Sequence, residues 1–129
     1  MPKLFSYNRK QKLKSKKQID AVFASGKSIV SFPVKLLYLE KQSTDINIPL
    51  QAGVAVSSRF FKKAVHRNKI KRLIREAYRL QKSLLVTHLA QQAKAIDIFW
   101  IYLDKELPQQ KQLNAAVEKA IHKLIKQIA

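Results

Sequence analysis

The segment from residue 64 to residue 79 most constrains what this chain can fold into. It reads A-V-H-R-N-K-I-K-R-L-I-R-E-A-Y-R, and at about 100° per residue it predicts a helix with two different faces. The apolar side chains fall in one arc, which needs a sheet or a second helix to cover it: Ile70, Leu73, Ile74, Ala77 and Leu80. The cations fall in the opposite arc with a single acid, Glu76, so pairing within the helix leaves most of them unneutralised.

The composition extends this basic character to the whole chain. The 129 residues carry 26 Lys and Arg against 8 Asp and Glu, a formal net charge of +18, with an apolar fraction of 47%. We expect one domain, residues 1–129, with the basic residues 1–14 as a flexible arm. So much like charge favours a polyanionic partner, either nucleic acid or an anionic membrane. The apolar faces are better explained as core, so no membrane partner is expected.

Cysteine usage and the absence of sorting signals bear on the location. The chain has no cysteine, which excludes disulfides and thiolate metal sites. It has no apolar run of membrane-spanning length, and its basic N-terminus lacks the apolar segment of a secretory signal. These features predict a cytoplasmic protein.

The first half of the chain predicts a helix followed by two strands. Ser15 fits an N-cap with Gln18 at the third helical position, and Gly26 suits the end of that helix. A strand is expected from 34 to 39, with Pro33 at its start. Its side chains should alternate, with Phe32, Val34, Leu36 and Tyr38 on one side and Lys35, Leu37 and Leu39 on the other. A loop over 40–50 should join it to an antiparallel strand over 52–56.

The second half predicts the basic helix, a central strand and a last helix. The basic helix should end near 80–83, and 84–95 is either a further helix or its continuation. The apolar run from 96 to 103 predicts a strand covered on both sides. Residues 113–128 show the periodicity of an amphipathic helix. The order α-β-β-α-(α)-β-α predicts an α+β fold, a two-layer sandwich with helices packed on a small mixed sheet.

The chain offers almost no catalytic chemistry of its own. Its histidines, His66, His88 and His122, are scattered over predicted helices without a second ligand at a recognisable spacing. Glu76 lies among arginines, where a salt bridge is expected. The two glycines, Gly26 and Gly53, form no phosphate-binding loop. We therefore assign no catalytic residue and no metal ligand, and a protein enzyme acting alone is not expected.

The basic arc is better suited to nucleic acid, and to RNA in particular. It is rich in arginine, whose planar fork binds phosphate in a bidentate manner, and Asn68 adds a donor and an acceptor. Such a face suits the shape and backbone of RNA more than a sequence code. No second helix precedes it at helix-turn-helix spacing, so DNA binding is not expected. A general or ribosome-associated RNA-binding protein remains an alternative.

The motif R-N-x-x-K-R-x-x-R-E, from Arg67 to Glu76, resembles the signature of the bacterial ribonuclease P protein subunit. The preceding G-V-A-V-S from Gly53 is similar to the strand before the signature helix in that family. Upstream, I-x-x-V-F-x-x-G from Ile19 to Gly26 is similar to its first helix and turn. The resemblance covers about residues 13–80, and the rest of the chain matches only by pattern.

The resemblance implies a function and a fold. In that family a catalytic RNA hydrolyses precursor tRNA at its 5′ end with Mg²⁺, bound mainly by the RNA, and the protein docks on that RNA and contacts the substrate's 5′ leader. Hence the expected partners are the catalytic RNA and the precursor tRNA leader, and the protein alone should be inactive. The family fold implies a left-handed βαβ crossover, against the usual preference.

The resemblance also assigns residues by position. The RNA-binding residues it implies are Arg59, Lys63, Arg67, Asn68, Lys71, Arg72, Arg75 and Arg79. The leader-binding residues it implies are Phe23, Tyr38 and Ile19. Two positions depart from the family pattern: Ser58-Arg59 stands where a lysine pair is frequent, and Ile19 where an aromatic is frequent. We further expect Arg67→Ala, Lys71→Ala or Arg75→Ala to weaken RNA binding without loss of stability.

Overall fold

The computed structural model describes residue 13 and residues 16–41, 50–92 and 94–128. In chain order these residues form α1 (Lys16–Ser25), β1 (Lys27–Ser31), β2 (Val34–Lys41), β3 (Leu50–Ala55), α2 (Ala64–Gln92), β4 (Ala95–Tyr102) and α3 (Gln110–Gln127). The strands lie side by side in the order β1-β2-β4-β3. β2 is antiparallel to both β1 and β4, whereas β3 is parallel to β4. The predicted α+β class and the small mixed sheet are confirmed.

The two faces of the sheet are covered differently. Side chains such as Leu36, Ile98 and Trp100 are buried in the larger core, which includes the apolar sides of α2 and α3. Leu37 and Phe99 point the other way, into a smaller cluster with Val22 of α1. Because strand residues alternate between faces, α2 and α3 cover one face and the short α1 covers only part of the other. The predicted sandwich is therefore the sheet with α2 and α3, and α1 adds a partial third layer.

The central strand and the last helix follow the sequence prediction. β4 has a strand on each side, and its residues are buried with the exception of Ile101, which is half-buried. α3 buries the periodic set Leu113, Ala116, Val117, Ala120, Ile121 and Leu124. Both elements are specified by local patterns, a continuous apolar run and a 3.6-residue period.

β1 is an element that the sequence prediction missed. It pairs with β2 from Lys27↔Tyr38 to Ser31↔Val34, so the chain reverses over Phe32 and Pro33. Pro33 therefore lies in the turn before β2, and its carbonyl accepts a hydrogen bond from the Leu103 amide, 2.8 Å away. The predicted element order lacked this strand because the five residues of β1 carry little pattern of their own.

α2 continues through residue 92, so the segment after Ser83 extends the same helix. Its buried side differs from the predicted arc: Leu80 is 43% exposed, whereas Tyr78, Leu85 and Leu89 are buried. Tyr78 lies inside because its ring packs against Trp100, with 6.0 Å between ring centroids. Despite its length, α2 is too polar to cross a bilayer, and no helix in the described ranges is long and apolar enough to do so.

β3, α2 and β4 form a βαβ unit of neighbouring parallel strands. Its left hand stays an expectation from the resemblance. β2 and β3 do run in opposite directions, as expected, but β4 lies between them. The Ser15 cap, the loop over 42–49 and the arm apart from Leu13 lie outside the described residues. Leu13 itself is buried, and its amide donates to the Ala52 carbonyl at 2.9 Å.

Candidate nucleic-acid interface

Four polar side chains are exposed on the N-terminal half of α2: Asn68, Lys69, Arg72 and Arg75. We call these four residues the α2 arc. At 100° per residue they span about 120° of the helix surface. Within the described part of the chain, no acid forms an ion pair with them. The arc brings together three residues assigned by the resemblance, Asn68, Arg72 and Arg75, and adds Lys69, which the assignment omitted. Lys71 lies at its edge and is half-buried.

Arg67 has a different role from the arc residues. Its side chain turns back to the loop before α2, where Nη1 donates to the Phe61 carbonyl at 2.7 Å and to the Lys62 carbonyl at 2.8 Å. These bonds satisfy carbonyls that the irregular loop leaves without a backbone partner. Arg67 therefore stabilises the loop, and this geometry argues against the expectation that Arg67→Ala leaves stability unchanged.

Arg79 is held by the acid of the signature. Its Nη2 and Nε atoms donate to the two carboxylate oxygens of Glu76, at 2.7 and 3.1 Å. The hydrogen bond from Arg79 lowers the pKa of Glu76, and the same bond raises the pKa of Arg79. Because the pair is bidentate, Arg79 offers less free charge to a polyanion than its neighbours. The salt bridge expected for Glu76 is confirmed.

The loop from Ser57 to Lys63 extends the basic surface beyond the start of α2. Arg59 and Lys63, both assigned to RNA binding, have exposed side chains, as does Lys62. The backbone is ordered by short-range bonds: the Arg59 amide donates to Ser57 Oγ at 3.1 Å, and the Lys63 carbonyl accepts from the Arg67 amide at 3.3 Å. Arg59 and Lys63 thus lie on an ordered loop that leads into α2.

The sheet face toward α1, which we call the α1 face, carries an incompletely covered aromatic cluster. Phe23 is 52% exposed, and its ring meets Phe99 edge-on with centroids 5.1 Å apart. Ile19, one turn earlier, is half-buried against the same cluster. Phe23 and Ile19 therefore lie at the border of a partly open apolar surface.

Beyond α1 the same face is open. Val30, Lys35 and Ile101 lie in one row across β1, β2 and β4. Val30 is 55% exposed, while Lys35 and Ile101 are half-buried. Lys35 thus places a cation in an apolar row beside Phe99. The sequence assignment missed Lys35 and Phe99 because their place on this face depends on the pairing of β2 with β4.

Tyr38 does not join this surface. It is 4% exposed, belongs to the larger core under α2 and α3, and its hydroxyl bonds to Gln127 Oε1. Burial is the main cause that raises the pKa of its phenol, with a further contribution from Glu40. The alternation predicted for β2 already separated Tyr38 from Leu37. The expectation that Tyr38 and Phe23 line one cleft is therefore corrected, because α1 covers the opposite face from Tyr38.

The described residues form no metal-ligand cluster. No three of their His, Cys, Asp or Glu side chains lie close enough together to hold an ion. His66 lies beside the α2 arc, and His88 and His122 line a groove between α2 and α3.

Comparison with known proteins gives a consistent result for most of the chain. The family model described as Ribonuclease P matches residues 7–128. The chain is 31% identical over 121 residues to the "Ribonuclease P protein component" of Porphyromonas gingivalis, a match that covers 93% of this chain and 87% of the relative. It is 42% identical over 83 residues to the protein of the same name from Chlorobium phaeobacteroides, covering 61% of this chain and 56% of that relative.

Two solved structures have a similar fold. The RNase P protein of Staphylococcus aureus superposes with a TM-score of 0.68 at 22% identity, covering 88% of this chain and 94% of the other. The protein from Thermotoga maritima superposes with a TM-score of 0.61 at 24% identity, covering 92% and 97%. At these identities the likeness concerns the fold.

Proposed function

Because this chain belongs to the ribonuclease P protein family, we propose that it docks on the catalytic RNA of ribonuclease P and assists Mg²⁺-dependent 5′ maturation of precursor tRNA. The relatives are named as the protein component of a ribonuclease, which supports an RNA partner. The observation that carries the proposal is the α2 arc, in which Asn68 and three exposed cations have no acidic partner among the described residues. A cytoplasmic location, where tRNA precursors are made in bacteria, is part of the same proposal.

We assign the catalytic RNA to the α2 side of the sheet. Arg72 and Arg75 present planar donor forks suited to phosphates on a structured RNA. Arg59 and Lys63 extend this surface along the preceding loop. Together they favour binding to RNA shape and backbone over readout of a base sequence.

We assign the 5′ leader to the α1 face. Single-stranded RNA is bound by rings on which bases stack and by cations that follow the backbone. Phe23 offers a half-exposed ring supported by Phe99, and Lys35 supplies a cation in the adjoining row. The two RNA surfaces then lie on opposite faces of one sheet, so the protein can hold the catalytic RNA and the leader at once.

We assign the hydrolysis to the RNA. Mg²⁺ would be bound mainly by that RNA. When bound, the ion would activate water and stabilise charge at the scissile phosphate. This chain's residues would orient the RNA and its substrate and reduce the repulsion between them.

Reconstitution tests the proposal. Purified protein, cognate catalytic RNA and precursor tRNA are mixed at low Mg²⁺, and 5′ cleavage is measured with each component omitted in turn. We expect little cleavage by RNA alone at that Mg²⁺ concentration, a strong increase with protein, and none by protein alone. Specific cleavage by protein free of RNA would refute the assignment of chemistry to the RNA. Equal binding to unrelated structured RNAs, without faster cleavage, would instead support the general RNA-binding alternative.

A charge-matched pair of variants tests the docking face. Arg72→Ala/Arg75→Ala removes two cations of the α2 arc, and Lys119→Ala/Lys123→Ala removes two exposed cations of α3. The first variant should weaken affinity for the catalytic RNA and reduce the salt dependence of binding by about one unit per lost phosphate contact. The second should change both much less. Equal effects would mean that binding follows net charge only.

A further inference from the structure

Phe60 is an exposed aromatic side chain in the loop between β3 and α2. It is 43% exposed, and it lies between Arg59 and two further cations, Lys62 and Lys63. A single exposed phenylalanine is ordinary on a protein surface. Phe60 differs because the structure holds its loop in place and supplies a further cation from another part of the chain.

Hydrogen bonds hold the loop backbone before and after Phe60. On one side the Phe61 amide donates to the Ser57 carbonyl at 3.2 Å. On the other, Arg67 Nη1 binds the carbonyls of Phe61 and Lys62. Phe61 itself is buried, and its ring lies 6.0 Å from that of Tyr102. The backbone on either side of Phe60 is therefore anchored while its ring faces solvent, which reduces the entropy lost when a ligand binds.

The cation comes from the loop between β4 and α3. Lys105 Nζ lies 5.5 Å from the centroid of the Phe60 ring, a cation–π distance. That loop is also ordered, because the Asp104 carboxylate accepts the Lys105 amide at 2.7 Å and the Tyr102 hydroxyl donates to the Glu106 carbonyl. Asp104 and Glu106 add two acids, so Arg59, Lys62, Lys63 and Lys105 leave the neighbourhood net positive by two charges.

The position of Phe60 separates it from the α1 face. Its neighbour Phe61 belongs to the larger core, which lies between the sheet and the α2–α3 layer. Phe23 lies on the opposite face, against Phe99. The Phe60 loop also leads directly into α2, the helix that carries the α2 arc.

We propose that Phe60 stacks on an unpaired base of the catalytic RNA that docks on the α2 arc. The inference rests on the proposed function, because it assumes that the α2 arc binds that RNA. Every base has a π-face, so stacking needs a base free of the helix stack but no particular sequence. Lys105 on the ring and the adjacent loop cations would bind the phosphates that flank this base. The α2 arc would then bind phosphates through its charge. Phe60 would add a stacking contact that the paired bases of a continuous duplex cannot make.

A series at position 60 tests the proposal by affinity for the catalytic RNA. Phe60→Ala should weaken binding roughly tenfold, and Phe60→Leu should lose nearly as much, because it keeps apolar area without a π-face. Phe60→Tyr should bind like the native protein. Leu107→Ala, at an exposed apolar residue of the neighbouring loop, is the control and should bind normally. Native affinity in Phe60→Leu would overturn the proposal.

Fluorescence adds a readout that does not depend on affinity. Phe60→Trp places an indole at the site, while the native Trp100 is fully buried and gives a constant background. Adding catalytic RNA should quench the new indole, and adding salt until the complex dissociates should restore it. Unchanged emission in a formed complex would overturn the proposal.

The outcomes separate this proposal from the proposed function. If Arg72→Ala/Arg75→Ala binds the catalytic RNA normally, the docking face itself is wrong. If that double variant loses affinity while Phe60→Ala does not, only the stacking proposal fails. If Phe60→Ala weakens only the binding of precursor tRNA with a leader and leaves catalytic RNA binding intact, Phe60 contacts the substrate. The stacking proposal is then also rejected.

Discussion

The ring of Phe99 occupies the space above Gly53. A β-carbon at Gly53 would lie 2.5 Å from Phe99 Cε2 and 2.7 Å from its Cδ2, closer than any real contact. Phe99 is packed between Leu37 and Phe23, so its ring has little room to move away. Because Gly53 on β3 has no side chain, the Phe99 ring can take the position in which it supports Phe23.

Gly53→Ala should destabilise the fold by about 1–3 kcal/mol, the usual cost of overpacking a filled site. Urea unfolding measures the change. Phe99→Leu removes the clashing atoms, so the double variant Gly53→Ala/Phe99→Leu should be more stable than the sum of the single effects predicts. Strict additivity would show that the two side chains do not compete for this space.

Arg67→Ala should lower the free energy of unfolding by about 1–3 kcal/mol, because two carbonyls lose a charged donor. Arg72→Ala, at an exposed residue of the α2 arc, should change stability by no more than about 0.5 kcal/mol. Chemical denaturation of both variants gives the comparison. Equal denaturation midpoints for the two variants would show that Arg67, like Arg72, does not stabilise the fold.

Phe23→Ala should weaken binding of the holoenzyme to precursor tRNA with a long leader by roughly tenfold to a hundredfold. Binding to mature tRNA, which has no leader, should hardly change. Tyr38→Phe removes a buried hydroxyl bond instead, so it should lower stability and affect both ligands alike. A leader-specific loss in Tyr38→Phe would contradict the assignment of Tyr38 to the core.

Lys35→Gln should also act on the leader, through charge instead of stacking. Affinity for precursor tRNA should fall, and its salt dependence should decrease by about one unit, the effect of one lost phosphate contact. Lys119→Gln, an exposed position on α3, is the matched control. If both substitutions give the same salt dependence, Lys35 contacts no phosphate.

Tyr102 should make stability fall at high pH. Burial, with smaller contributions from Asp104 and Glu106, raises the pKa of its phenol to about 12, against about 10 in an unfolded chain. The folded state therefore prefers the protonated phenol, and the stability that this contributes is present below pH 10 and lost as the pH rises through 12. Unfolding midpoints measured from pH 8 upward should fall less steeply in Tyr102→Phe. Parallel curves for the two proteins would refute this.

The sequence predicted those parts of the fold that depend on local pattern. α3 and β4 follow from a helical period and an apolar run, and most of the α2 arc follows from the charges around the signature. β1 was missed because its stability comes from pairing with β2, which no local signal in five residues encodes. Leu80 is exposed although the pattern placed it in the apolar arc, and Tyr78, which that arc did not include, is buried. The position of Trp100 decides which side of α2 is covered.

The residue types in the candidate site could be predicted from the sequence, but the faces on which their side chains lie could not. The alternation along β2 correctly separated Tyr38 from Leu37, yet the face that α1 covers depends on the strand order. Lys35 pairs with Ile101, and Leu37 pairs with Phe99, across β2 and β4, which are over 60 residues apart in sequence. Arg67 looked like its neighbours on the helix, and only the path of the preceding loop brings two carbonyls to its guanidinium.

The position of β4 has a consequence for how the protein is made. The β1–β2 hairpin is local and can form early, but β3 has no partner in the sheet until β4 arrives, about 40 residues later along the chain. At roughly 5–20 residues per second, a ribosome needs some seconds to supply that segment. Until then the growing chain has neither an assembled sheet nor a support for the apolar side of α2. Insertion of β4 is thus a late step that completes the α1 face and covers the apolar side of α2, and a nascent chain that stops before residue 95 has neither feature.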